Sequence, residues 1–210
     1  LPWTRAAIKG WTSMVPVKSH APLPPHFAAL IAARLVMAGR LDAAAAVLLA
    51  SHCLLRVSEV SNLRRQDLVL PEQDGDPRFL SSHGAVYLAS TKTGKHQSVL
   101  IESAGVATVM RLYLSRCSFR GSDRLFPFSA LQLNGFLRRG ALGMGLPQSI
   151  WTWHSLRHGG AVALYMEGRP LDNIMVRGRW QAHNSVRTYL QAGRSILLAS
   201  SFDAAKTALG

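Results

Sequence analysis

The sequence is poor in acidic residues and in cysteine. Its 210 residues contain 11 Asp and Glu against 24 Lys and Arg, a formal net charge of +13. So few carboxylates favour a polyanionic partner, because each phosphate that Lys or Arg neutralises releases condensed counterions. The two cysteines, Cys53 and Cys117, match no zinc spacing. Cys53 lies in an apolar run, so we expect a buried free thiol, which is compatible with a reducing, intracellular compartment.

Long apolar runs, a signal peptide and internal repeats are also lacking. The most apolar stretch, Ala43 to Leu55, is too short to span a bilayer. The first three residues, Leu-Pro-Trp, are not the charged start of a signal peptide. These absences argue against a membrane protein. Residues 1–25 are rich in proline and predict a linker, and the start without Met leads us to expect a missing N-terminal domain upstream.

The rest of the chain predicts a mainly α fold with a small antiparallel β-sheet, of the α+β class. A helix is predicted from Pro25 to Gly39, a second from Asp42 as N-cap to about Leu55, and a short third that Ser58 caps. Two β-prone runs, residues 84–90 and 98–101, predict a hairpin across a polar segment, and residues 68–70 an edge strand. Further helices are predicted over 104–116, 129–140, 155–167, 171–177, 183–191 and 195–208.

Basic side chains cluster at the start of one of these helices. If it begins at Ser155, then His154, Arg157 and His158 share one face. The positive end of the helix dipole disfavours cations there, so the arrangement makes sense around an anion such as phosphate. Each residue alone is also compatible with a structural or solvated role. A zinc site on His154 and His158 is the alternative, although Ser155 stands where a zinc hydrolase helix carries Glu.

Three further segments carry candidate residues. Arg56 lies at a break between helices, where its planar guanidinium group can bind two phosphate oxygens. Glu59 can hold that guanidinium group in place or cap the next helix. Lys92 lies in the predicted hairpin, with Lys95 close enough to confuse the assignment. Tyr189 enters a short helix, where a lone tyrosine is usually a core residue.

Together these segments resemble the tyrosine recombinases, the family of phage integrases, Xer recombinases and Cre. Arg-Val-Ser-Glu at 56–59 is similar to the first arginine box, Thr-Lys-Thr around Lys92 to the hairpin lysine segment, and His-Ser-Leu-Arg at 154–157 to the His-x-x-Arg box. Arg157 precedes Tyr189 by 32 positions (189 − 157), the separation expected in the family. One position departs from the commoner pattern, since Trp180 stands where most members carry a second histidine. Cre-like members also carry tryptophan at this position.

The resemblance implies a catalytic domain over residues 26–210 and covalent catalysis on double-stranded DNA without cofactor or metal. Tyr189 would attack a phosphodiester to give a 3′-phosphotyrosyl link and a free 5′-hydroxyl. The other implied catalytic residues are Arg56, Lys92, His154, Arg157 and Trp180, with Glu59 and His158 in support.

Oligomerisation and the overall activity stay open at this point. An amphipathic helix at about Ser195 to Leu209 is expected either to pack within the chain or to dock on a neighbour in a homotetramer on DNA. Two alternatives to recombination are a type IB topoisomerase, which uses a similar set of residues to relax DNA, and a non-catalytic DNA-binding remnant of a mobile element.

Overall fold

A computed structural model describes residues 20–70, 83–91, 94–143 and 151–190, with the side chains of residues 90, 91, 188 and 189 outside that description. The described helices are α1 (Pro25–Met37), α2 (Leu41–His52), α3 (Val57–Asn62), α4 (Ala104–Ser115), α5 (Ala130–Leu142), α6 (Trp153–Met166), α7 (Leu171–Gly178) and α8 (His183–Tyr189). The strands are β1 (Leu68–Val69), β2 (Gly84–Thr91) and β3 (Gly94–Ile101). The mainly helical fold with a small antiparallel sheet is as predicted.

Helix α2 lies at the centre of the core. Its alanines at 43–46, together with Val47 and Leu49, are at most 1% exposed. Because alanine is small, α1, α4 and α6 can all pack closely on this helix. The preceding α1 starts with Pro25 at its first turn and gives way to Gly39, whose φ of +72° is a conformation that glycine adopts without a steric penalty.

The three strands form one antiparallel sheet in the order β1-β2-β3. Alternation places Val86 and Leu88 of β2 in the core, together with Val99 and Ile101 of β3. The predicted hairpin and edge strand are therefore confirmed, but the strands extend further than expected, to the pair Thr91↔Gly94. The polar segment between the two predicted strands is hydrophilic like a loop, but most of its residues continue the ladder of hydrogen bonds.

Three helix starts differ from the prediction. Helix α2 starts at Leu41 rather than after Asp42, and the Asp42 carboxylate pairs with Arg40 at 3.0 Å. Helix α3 starts before Ser58, because the Glu59 carboxylate accepts the backbone N–H of Arg56 at 2.7 Å. Helix α6 starts at Trp153, since the Ser155 hydroxyl caps the N–H of Thr152 at 3.2 Å. In each case a side-chain hydrogen bond selects the start.

Cys53 is a buried free thiol, as expected, and burial raises its pKa to about 12. Helices long and apolar enough to cross a membrane are not found among the residues described.

His52 joins the end of α2 to the start of α4. Its Nε2 accepts the backbone N–H of Glu102 at 3.0 Å and that of Ser103 at 3.4 Å, which requires a neutral ring. Arg177 of α7 lies beside the same ring, with Nη2 at 2.9 Å from Nε2. Burial and the charge of Arg177 lower the pKa of His52 to about 4, although Glu102 opposes the shift.

Gly159 provides a test of the packing between α6 and the segment before α1. A β-carbon at this position would overlap the backbone carbonyl of Leu23, whose own N–H donates to Ser155 at 2.8 Å. We expect Gly159→Ala to lower the free energy of unfolding by about 2–3 kcal/mol, measured by urea denaturation. The control is Gly105→Ala in α4, where only Ser103 Oγ lies within 4 Å, at 3.8 Å. An equal loss in both variants would contradict the packing described.

His52 provides a test of pH dependence. Its folded pKa, about 4, lies below the ordinary value of 6.5, so folding excludes a proton that the unfolded chain binds. The resulting stabilisation is complete above pH 6.5 and is lost as the pH falls towards 4. We expect His52→Gln to reduce the slope of unfolding free energy against pH in this window, by at most about 1.4 kcal/mol per pH unit. Parallel wild-type and variant curves would show that His52 is not held neutral.

Candidate active site

A cluster of three arginines and one glutamate assembles from segments far apart in the sequence. The members of this arginine cluster are Arg56, Arg157, Arg179 and Glu59. Arg56 and Glu59 lie at the start of α3, Arg157 lies on α6, and Arg179 follows α7. The sequence patterns predict Arg56, Arg157 and Glu59 as site residues, but they do not predict Arg179.

Glu59 is the centre of this cluster. Its Oε1 accepts Arg56 Nη1 at 2.7 Å and its Oε2 accepts Arg179 Nη2 at 2.7 Å. Burial alone would raise the pKa of this carboxyl, but the charge of Arg179 and the hydrogen bonds from Arg56 outweigh burial and hold that pKa below its ordinary value. Glu59 is therefore a carboxylate shared between two guanidinium groups.

The backbone carbonyl of Leu54 is the second shared acceptor. Leu54 has a φ of +52°, in the left-handed region, at the turn between α2 and α3. Its oxygen accepts hydrogen bonds from Arg157 Nη1 and, at 2.9 Å, from Arg179 Nη2. The turn thereby links the two buried arginines to the segment that carries Arg56.

Arg157 is almost fully buried, with 1% of its surface exposed. Besides Leu54, it donates to the carbonyl of Gly178, and its guanidinium carbon lies 4.2 Å from the centre of the Trp180 ring. The interpretation of Arg157 as a solvated surface charge is therefore wrong. Arg56, by contrast, keeps 16% of its side chain exposed and is the most accessible of the three arginines.

Trp180 is packed between the arginine cluster and a small apolar cluster formed by Leu54, Ala161, Ile174 and Val186. It is 8% exposed. A β-carbon at Gly178 would overlap its six-membered ring, so this turn requires glycine at position 178. The tryptophan thus covers one face of Arg157 with an aromatic surface, a cation–π arrangement.

The histidines lie at the start of α6. His154 is half-buried and His158 is 3% exposed, with their ring centres 6.5 Å apart. A third histidine, His20, lies with its ring centre 5.3 Å from that of His154, tilted by 44°, and hydrogen bonds to Thr152 Oγ1 at 3.1 Å. His20 was not predicted because it lies in the proline-rich segment. Among the residues described, no group of three His, Cys, Asp or Glu side chains is placed to hold a metal.

The structure does not describe the side chains of two predicted site residues, Tyr189 and Lys92. Tyr189 is the last residue of α8, a helix that packs on α6 and α7, but its side chain lies outside the description. Lys92 also lies outside the described residues. Lys95 is exposed on β3, paired across the hairpin with Ser90.

An uncommon backbone conformation brings Arg179 into the cluster. With a φ of +57°, Arg179 is left-handed directly after α7, and its side chain is only 2% exposed. A charged residue after a helix end ordinarily indicates a solvated position, and the sequence pattern contains no signal against that interpretation. The scarcity of acidic partners is the one general hint that basic residues here would share a carboxylate.

Comparisons with known proteins agree with this architecture. The chain matches the model of the Phage integrase family over residues 28–195. The crystal structure of XerA recombinase superposes with a TM-score of 0.66 at 19% identity, covering 89% of this chain and 65% of that chain. No curated protein matches.

Two structures solved with DNA share the same fold at low identity. XerH site-specific recombinase, in a pre-cleavage complex with its difH substrate, has a TM-score of 0.59 at 16% identity, covering 80% of this chain and 49% of that chain. The Tn1549 transposon integrase, in complex with circular intermediate DNA, has a TM-score of 0.61 at 13% identity, covering 89% and 68%. Because the family model covers most of its length, the chain belongs to the Phage integrase family.

Proposed function

We propose that this protein catalyses site-specific DNA recombination by cleaving and rejoining strands through a 3′-phosphotyrosyl intermediate. The observation that carries the proposal is the arginine cluster, in which Glu59 binds Arg56 and Arg179 while the Leu54 carbonyl binds Arg157 and Arg179. The helix that ends in Tyr189 packs on α6, which carries Arg157. Three positive charges against one negative charge leave a net charge of +2 for a phosphate to neutralise. Membership of the family and the DNA complexes of XerH and the Tn1549 integrase support the same activity.

Tyr189 is the nucleophile in this scheme. Its phenolic oxygen forms a bond to phosphorus while the bond from phosphorus to the 5′-oxygen breaks, which leaves a 3′-phosphotyrosyl link. A free tyrosine has a pKa of about 10, so the phenolate costs about 4 kcal/mol at pH 7. His154, at the start of the helix against which α8 packs, is our candidate for accepting or bonding the phenolic proton.

The arginines stabilise the charge that grows on the phosphate. Arg56, which retains an exposed edge, binds the nonbridging oxygens directly. Arg157 is held by two backbone carbonyls, so its orientation is already set before DNA arrives. Fixed charges of this kind need no reorganisation during the reaction, which is why they lower its barrier.

The remaining residues have supporting roles in the proposal. Lys92 gives its proton to the departing 5′-oxygen, with Lys95 as the alternative donor. The Trp180 indole N–H can donate a hydrogen bond to a phosphate oxygen but cannot transfer a proton to or from the substrate. Glu59 orients Arg56, and His158 supports the helix start from a buried position.

The partner in this proposal is double-stranded DNA, bound by a homotetramer. We assign residues 26–210 to the catalytic domain and the segment at about Ser195 to Leu209, outside the described residues, to contacts between protomers. The chain spans only 65% of XerA recombinase and 49% of XerH. The parts of those two proteins outside the match therefore give no support to the proposed partner or assembly.

Covalent trapping on nicked DNA tests the nucleophile. Duplexes that bind the protein are first selected from a randomised pool and then nicked near the cleavage position, so that the 5′-hydroxyl fragment diffuses away. Wild type should accumulate a covalent protein–DNA adduct on denaturing gels, and Tyr189→Phe should form none, because it lacks the attacking oxygen. The matched control, Tyr165→Phe, changes a half-exposed tyrosine of α6 and should react like wild type.

The same experiment separates the competing activities. An undiminished adduct in Tyr189→Phe would show that another residue attacks. Binding without any adduct in wild type would identify a non-catalytic DNA-binding protein. Relaxation of supercoiled DNA by isolated monomers, without site preference, would identify a topoisomerase.

A further inference from the structure

We infer that Arg179 is a positioning residue for DNA cleavage: through Glu59 and the Leu54 carbonyl it fixes where Arg56 and Arg157 hold the phosphate. This inference rests on the proposed function. It adds to the predicted site a residue that neither the motif boxes nor their spacing mark.

The backbone of Arg179 is the first observation. Its φ of +57° and ψ of +44° place it in the left-handed region, where a β-carbon meets the following carbonyl and glycine is the least strained residue. Strained non-glycine positions persist where the surrounding structure holds them in place, and they concentrate at functional sites. The side chain of Arg179 must therefore make contacts that compensate for this strain.

Those contacts are the second observation. Arg179 Nη2 lies 2.7 Å from Glu59 Oε2 and 2.9 Å from the Leu54 carbonyl oxygen, and Nη1 lies 2.9 Å from the Arg177 carbonyl oxygen. With 5% of its surface exposed, Arg179 reaches a DNA phosphate only through its neighbours. Each of the first two acceptors also binds another arginine: Glu59 binds Arg56, and the Leu54 carbonyl binds Arg157.

Shared acceptors couple the three guanidinium groups geometrically. Glu59 uses Oε1 for Arg56 and Oε2 for Arg179, so the two arginines fix the plane of one carboxylate. Without Arg179, the carboxylate keeps its bonds to the side chain and the backbone N–H of Arg56 but loses its link to the Leu54 turn and to the segment after α7, so Arg56 and Arg157 are no longer held at a fixed separation. A displacement of about 1 Å in a catalytic group is enough to slow a reaction by about 100-fold.

A purely structural role is the competing explanation. Arg179 Nη1 also approaches the Cys53 carbonyl at 3.4 Å, so the residue contacts the C-terminal end of α2. A cation at a helix C-terminus stabilises the helix whatever the protein does. The two explanations differ in whether the cleavage rate or only the stability depends on Arg179.

The test uses the full chain and the nicked DNA substrate selected above. The variants are Arg179→Gly, Arg179→Lys, Glu59→Gln and the double variant Arg179→Gly with Glu59→Gln. Arg179→Gly removes the guanidinium and also the backbone strain, which favours folding, whereas Arg179→Lys retains the charge but not the fork. We measure the single-turnover rate of adduct formation at saturating protein, the Kd for DNA and the melting temperature.

We expect Arg179→Gly to slow adduct formation by about 10- to 100-fold at saturation, while Kd changes by less than about 3-fold. Because both residues act through one carboxylate, the double variant should be no slower than the slower single variant. Millimolar guanidinium chloride should partly restore the rate of Arg179→Gly, and sodium chloride at the same concentration should not. The control Arg116→Gly replaces an exposed arginine that directly follows α4 and should match wild type.

Several outcomes would overturn the inference. Unchanged saturated rates in both Arg179 variants, or multiplicative losses in the double variant, would show that Arg179 does not act through Glu59. Failure of both Arg179 variants to fold would assign the residue to the fold alone. If wild type also forms no adduct, the proposed function fails and this inference fails with it.

Discussion

The carbonyl oxygen of Leu54 accepts hydrogen bonds from two buried arginines, and the arrangement of the site depends on where that oxygen lies. Leu54 is left-handed, a conformation that costs a residue with a β-carbon about 1–2 kcal/mol. The turn it forms separates α2 from α3 and so sets the position of Arg56. Because Arg157 and Arg179 bond to the same oxygen, a shift of this turn would displace all three guanidinium groups together.

The second constraint is electrostatic. Removing charges from water is expensive, and a buried ion pair compensates for this only with good geometry and additional hydrogen bonds. The cluster meets those conditions with one carboxylate and several backbone carbonyls, yet positive charge remains in excess. Under the proposed function, a DNA phosphate offsets that excess. The excess positive charge that lowers the stability of the free protein then favours the binding of DNA. It favours the transition state more strongly, because the phosphate carries more negative charge there.

Sequence patterns predicted those features that depend on local chemistry. Helices follow from apolar spacing, proline and glycine, and the boxes around Arg56 and Arg157 follow from residue order. The starts of α2, α3 and α6 differ from the prediction because Asp42, Ser58 and Ser155 can each bond a backbone N–H, and only the fold decides which oxygen meets which N–H. Arg179 could not be predicted, since its burial follows from a backbone angle and from a glutamate 120 positions away.

Trp180 connects these arguments. A histidine here could exchange protons with the substrate, whereas the indole offers only a donor and a large aromatic face. That face lies against Arg157 and requires Gly178 to have no β-carbon. Glycine is thus required at position 178, and the next residue, Arg179, is left-handed although it carries a side chain. The side chain at this strained position reaches Glu59, with Nη2 at 2.7 Å from Oε2. These two neighbouring residues therefore act on the same site: Trp180 covers one face of Arg157, and Arg179 binds the carboxylate that also holds Arg56.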